Sequence, residues 1–140
     1  MSFYTDFFDK MASAAEQVKP YASIVYGSDP PKNGICMYPT GGIPVNVHFD
    51  KGSIVTMPVL LNGKHEDQHL LIDTLTAIHE VLTKRLDYSD LSTEAVQITD
   101  IKSISLPVII SREQNKQWVS GSTLEVSFYW KAVDYFTISI

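Results

Sequence analysis

A single stretch near the centre of the chain constrains the fold most strongly. Between about Glu66 and Leu86 the apolar residues recur every three or four positions, which predicts one long amphipathic helix. Its apolar stripe comprises Leu71, Leu75, Ile78 and Leu82, widened by Leu70 and Val81. Acidic residues lie at the start of this stretch and basic residues near its end, as the helix dipole favours. A helix with one apolar face needs another element to cover it, and the flanking segments predict strands.

The segments before this helix predict one more helix and several short strands. Residues Ser2 to Val18 repeat their apolar positions with helical spacing, and Pro20 ends the pattern. From Tyr21 to Gly42, two short extended pieces flank the exposed loop SDPPKNG. Val45 to Phe49 and Ile54 to Leu61 then predict a hairpin, in which Pro58 indicates an unpaired edge or a bulge in the second strand.

Two longer strand patterns follow the central helix. Apolar residues alternate with mostly polar ones from Ile104 to Ile110 and again from Leu124 to Trp130, separated by a polar turn from Arg112 to Gln117. We therefore expect a long C-terminal antiparallel hairpin. The predicted class is α+β: a mostly antiparallel sheet with the N-terminal helix and the long helix packed on one face. A length of 140 residues predicts one domain over positions 1–140.

Charge and composition exclude several functional classes. The formal net charge is −5, with 11 basic and 16 acidic residues, so we expect no binding to nucleic acid through a basic surface. No apolar run approaches the length that crosses a bilayer, and the first ten residues do not resemble a signal peptide. The single cysteine, Cys36, lies in an apolar run and is expected to be a buried structural thiol.

One motif has the pattern of a catalytic site. His65, Glu66 and His69 match H-E-x-x-H, in which two histidines one helical turn apart bind zinc and the glutamate activates a water. Here the motif lies where the predicted helix begins, and its histidines share a face opposite the leucine stripe. Position 75, where the extended motif needs a third histidine, is Leu75. We expect no enzyme, metal or cofactor, and keep a zinc-dependent hydrolase as the alternative.

The order of patterns resembles the minor capsid and tail-completion proteins of long-tailed bacteriophages, a group that includes tail terminators and head–tail joining proteins. The resemblance covers nearly the whole chain. It rests on the aromatic first helix FYTDFFDKM, the turn MYPTGGIPV, the leucine helix HLLIDTLTAIHEVL and the closing strands ISLPVII and STLEVSFYWKAV.

This resemblance implies a structural role without catalysis. Members form rings, commonly hexameric, that act through protein–protein interfaces in the virion, at the head–tail junction or the end of the tail, after assembly in the host cytoplasm. The implied partners are further copies of this chain, the tail tube protein and a head-completion or connector protein, with no sequence-specific nucleic acid and no membrane. The exposed loop and the hairpin tip supply the candidate interface residues, which are Asp29, Pro30, Pro31, Lys32, Arg112, Glu113, Asn115 and Lys116.

Overall fold

The computed structural model describes residues 3–41, 43–47 and 52–131. The helices are α1 (Phe3–Ala15), continued by a 3₁₀ turn (Glu16–Val18), and α2 (Gln68–Thr83); a second 3₁₀ turn covers Ser89–Leu91. The strands are β1 (Ile24–Tyr26), β2 (Ile35–Pro39), β3 (Ile43–Val47), β4 (Ser53–His65), β5 (Val96–Arg112) and β6 (Trp118–Trp130). The predicted α+β class, with two helices on one face of a mostly antiparallel sheet, is confirmed.

The six strands form one sheet. Their order is β1-β2-β4-β6-β5, and β3 pairs with β4 on the same side as β2. Only β1 and β2 are parallel, whereas every other described pair is antiparallel. The long hairpin is confirmed as β5 and β6, and the shorter hairpin as β3 and β4. Of the predicted strand that ends at Phe49, residues 48 and 49 lie outside the described residues.

Pro58 lies where β4 changes its neighbour. Thr56 of β4 pairs with β3 and Val59 pairs with β2, so Pro58 falls between the two partner strands. Its carbonyl oxygen accepts hydrogen bonds from the backbone N–H and the hydroxyl of Thr40, at 2.9 and 3.1 Å. Its nitrogen faces the same side, on which neither β2 nor β3 has a partner for Pro58, whereas on the other side Pro58 pairs with Glu125 of β6. The predicted unpaired edge is therefore present on one side of β4 only.

The core lies between the helices and the sheet. The four predicted stripe residues of α2 are all fully buried, and they face inward side chains of β4 and β6 such as Met57, Leu61 and Phe128. Leu70, predicted to widen the stripe, is instead 40% exposed, because it lies in the first turn beyond the edge of the core. Cys36 is buried, as predicted.

Helix α2 is shorter than its sequence pattern at both ends. Asp67 caps it: the backbone of Asp67 is extended, and its carboxylate accepts hydrogen bonds from the N–H groups of His69 and Leu70. At the other end the last helical bond runs from the N–H of Lys84 to the carbonyl of Glu80. Neither helix among the described residues has the length and apolar character needed to span a membrane.

Candidate interaction surfaces

The loop before β2 and the tip of the β5–β6 hairpin pack against each other, although they are far apart in the sequence. The N–H of Asn33 donates to Oε1 of Gln117 at 2.8 Å, and Nε2 of Gln117 donates to Oδ1 of Asn33 at 3.0 Å, across 84 positions of the chain. The Gln117 side chain is fully buried. These two bonds fix the loop on the hairpin tip.

Lys64, near the end of β4, holds the same two segments together through two ion pairs. Its Nζ lies 3.1 Å from the carboxylate of Asp29 in the loop and 3.0 Å from that of Glu113 at the tip. Its side chain is only 11% exposed. The hydrogen bond to Glu113 is the main reason why the pKa of Lys64 is raised, so the ammonium form is the one that the fold favours. We call this region, with the Asn33–Gln117 pair, the Lys64 corner.

The Lys64 corner contains the predicted interface residues. The structure brings the loop and tip residues to one part of the surface, where seven of the eight are exposed: Asp29, Pro31, Lys32, Arg112, Glu113, Asn115 and Lys116. Pro30 is buried, unlike the other seven. The loop turns inward at this position, and its neighbour Pro31 covers Gly34, where even a Cβ atom would lie 2.4 Å from the proline ring.

A second surface, which sequence reasoning did not identify as an interface, runs along β5. Four large apolar side chains of this strand are 55–66% exposed; they form what we call the β5 ridge, made of Ile104, Leu106, Val108 and Ile110. Strand β5 has 17 residues and lies at the edge of the sheet, with no strand on its other side among those described. The alternation predicted the strand correctly. Only their exposure in the folded chain shows that these residues face solvent instead of the core.

One sequence property of β5 could have indicated this surface. Residues 103–111 contain no charged side chain, whereas exposed edge strands usually carry lysines or other charges that prevent pairing with a second chain. Pro107 and several register shifts partly interrupt the edge. These two features discourage pairing with a further strand, but they leave the apolar side chains uncovered.

A third surface lies at the opposite edge of the sheet, beside β1. The rings of Phe8, Tyr26 and Tyr38 form a row of edge-to-face contacts, with centroids 5.0 and 5.6 Å apart. Tyr26 is 54% exposed. Phe8 and Tyr26 of this row border a cavity of about 680 Å³ between α1 and the ends of β1 and β2, lined also by Asp9 and Thr40. We call it the α1–β1 cavity.

The H-E-x-x-H residues do not share a helix. His65 is the last residue of β4, and His69 lies in the first turn of α2, with the cap residue Asp67 between them. Nδ1 of His65 accepts a hydrogen bond from the N–H of Asp67 at 2.9 Å, so this nitrogen supports the turn. Nowhere in residues 3–41, 43–47 and 52–131 do three potential metal-binding side chains come together. The one-turn spacing on which the zinc motif depends is therefore not formed.

Comparisons with protein-family models and curated proteins identified no relative of this chain. No protein-family model matches the chain, and no curated protein is significantly similar to it in sequence.

Proposed function

We propose that this protein is a structural subunit of a long-tailed bacteriophage that assembles into a ring, with a hexamer as the expected form. The ring would lie at the head–tail junction or at the end of the tail, where it contacts the tail tube protein and a head-completion or connector protein. Its function depends on its interfaces, without a reaction centre. The observation that carries this proposal is the β5 ridge on a long sheet edge whose residues 103–111 carry no charge.

Leaving the apolar side chains of this edge in water costs free energy. Burying apolar surface contributes about 25 cal/mol per Å², so four half-exposed aliphatic side chains offer a substantial gain to any partner that covers them. The same edge presents unpaired backbone groups to solvent. A chain that functions as a monomer gains nothing from such an edge, whereas a subunit of an assembly uses it.

The test is self-association of the purified protein, measured by native mass spectrometry and sedimentation velocity over a range of concentrations. Wild-type protein should form a closed oligomer. Leu106→Lys should shift it to monomer, while Gln97→Lys, which places the same charge at an exposed position of β5 outside the ridge, should assemble as wild type does. Wild-type protein that stays monomeric and is absent from purified phage particles would overturn the proposal.

The alternative, a zinc-dependent hydrolase using His65, Glu66 and His69, makes a different prediction. It requires stoichiometric zinc that is lost when both histidines are changed to alanine. Metal analysis of the purified protein and of this double variant distinguishes the two functions. Because His65 ends a strand and His69 begins a helix, we expect no difference between the two proteins in bound zinc.

A further inference from the structure

A ring requires two different surfaces on each subunit. When the same patch pairs with itself the assembly closes as a two-fold dimer, whereas head-to-tail contacts between unlike patches produce rings. Two exposed apolar surfaces lie at the two ends of the strand order: the β5 ridge at one edge and the α1–β1 cavity at the other. Four strand spacings of about 4.8 Å separate these edges, or about 19 Å. This placement suits head-to-tail contact.

We infer that the β5 ridge of one copy docks into the α1–β1 cavity of the next copy. This inference rests on the proposed function and specifies which surfaces form the ring contact. The receiving surface is a cavity with the aromatic rings of Phe8 and Tyr26 in its lining, and the inserted surface is a set of exposed aliphatic side chains. Aromatic side chains lining a pocket that takes up apolar side chains are typical of the energetically dominant part of an interface.

Charge complementarity supports this pairing. Asp9 is the only charged residue among those that line the cavity, and it makes no ion pair with another described residue. Arg112 lies two positions beyond the last ridge residue and is also without an ion pair in the described part of the chain; its guanidinium stacks on Trp118 at 4.8 Å. Docking the ridge in the cavity brings an unpaired cation toward an unpaired anion, which favours this contact over ridge-to-ridge pairing.

The decisive experiment mixes two variants that are defective on opposite surfaces. Leu106→Lys disables the ridge and Tyr26→Lys disables the cavity, so each should associate at least about tenfold more weakly than wild type. Val25→Lys is the control for the second variant, because it alters the neighbouring exposed residue of β1, which does not line the cavity. Circular dichroism establishes that each variant is folded.

Mixed in equal amounts, the two defective variants retain one good cavity and one good ridge between them. They should form one-to-one heterodimers in native mass spectrometry and no larger species. Ridge-to-ridge pairing predicts the opposite, namely that Tyr26→Lys assembles normally and the mixture gives no heterodimer. That result would overturn the inference, and because such pairing closes as a two-fold dimer it would also count against a ring. A closed oligomer that neither variant weakens would overturn the inference alone, whereas a monomeric wild type absent from phage particles would remove both.

A charge exchange provides a second test that does not depend on Tyr26. Asp9→Arg and Arg112→Asp should each weaken association, and the double variant should recover most of the loss. Absence of recovery in a folded double variant would show that these two residues do not meet between copies. It would contradict the docking arrangement.

Discussion

At the scale of single residues, the hydrogen bonds around His79 determine where its proton lies. The hydroxyl of Ser122 donates to the carbonyl of Leu61 at 2.7 Å and therefore accepts at its oxygen from Nε2 of His79, 2.8 Å away. Nδ1 then carries no proton and accepts from the hydroxyl of Ser103 at 2.7 Å. One neutral imidazole thus joins α2 to β5 and β6, and the sequence, in which His79 looked like an isolated histidine, gave no sign of this network.

This network predicts a pH dependence of stability. Burial lowers the pKa of His79 to about 4, whereas the imidazole of an unfolded chain titrates near pH ~6.5. Between these values the unfolded chain binds more protons, so its proton uptake favours unfolding as the pH falls. The free energy of unfolding should decrease by on the order of 2 kcal/mol from pH 7 to pH 5 on this account, and the loss should be complete near pH 4.

Urea unfolding at pH 7 and pH 5 measures this effect. His79→Gln should lose the His79 contribution and depend less on pH than wild type, while His69→Gln, which alters an exposed histidine, should keep the wild-type dependence. An equal decrease in wild type and His79→Gln would show that another group is responsible.

A second residue-scale prediction concerns the Lys64 corner. Gln117→Leu removes both side-chain bonds to Asn33 and leaves the N–H of Asn33 without its partner, which should cost about 1–3 kcal/mol. Gln114→Leu changes an exposed residue of the same tip and should leave the urea midpoint nearly unchanged. Equal midpoints for the two variants would mean that the loop–tip contact contributes nothing to stability.

At the scale of elements, the packing of α2 depends on which face of the helix carries its leucines. Leu75→Asp buries a charge at a fully enclosed position and should prevent stable folding, at a cost of several kcal/mol. Leu70→Asp places the same charge on the same helix at a position that is 40% exposed, and should cost less than about 1 kcal/mol. Thermal melting followed by circular dichroism compares the two, and a cooperative transition of Leu75→Asp near the wild-type temperature would show that the stripe is misassigned.

Local patterns predicted most elements correctly because each depends on residues close together in the chain. The helical stripe around Leu75 and the alternating patterns of β5 and β6 belong to this group. The predicted helix ends were less accurate, because the pattern from Glu66 to Leu86 does not reveal that the backbone leaves the helix at Asp67.

Features that depend on pairing between segments far apart in the sequence could not be predicted from local patterns. Alternation of Ile104 to Ile110 indicates a strand but not its place in the sheet, and an edge strand exposes residues that a central strand would bury. The hydrogen bonds between Asn33 and Gln117 could not be predicted for the same reason, because no local pattern links two turns 84 positions apart. The candidate interface residues were therefore predicted as two separate groups.

At the scale of the whole molecule, the charge balance predicts how the protein behaves toward DNA. A formal net charge of −5 repels phosphates, so purified protein should not retard duplex DNA in a gel or change its fluorescence anisotropy, even at low salt. If the proposed ring surrounds a channel for the genome, this repulsion lets DNA pass without adhering. Binding that weakens steeply as salt is added would contradict the prediction and indicate a local basic surface.

The shared ammonium group of Lys64 links two turns that a partner protein could contact. One cation satisfies a carboxylate from the loop and a carboxylate from the hairpin tip, and the loop is also hydrogen-bonded to that tip. A cationic side chain from another protein that captured Glu113 would leave Lys64 with Asp29 alone. Because one ammonium group and the Asn33–Gln117 hydrogen bonds join the loop to the hairpin tip, a partner bound at either turn would act on the other as well.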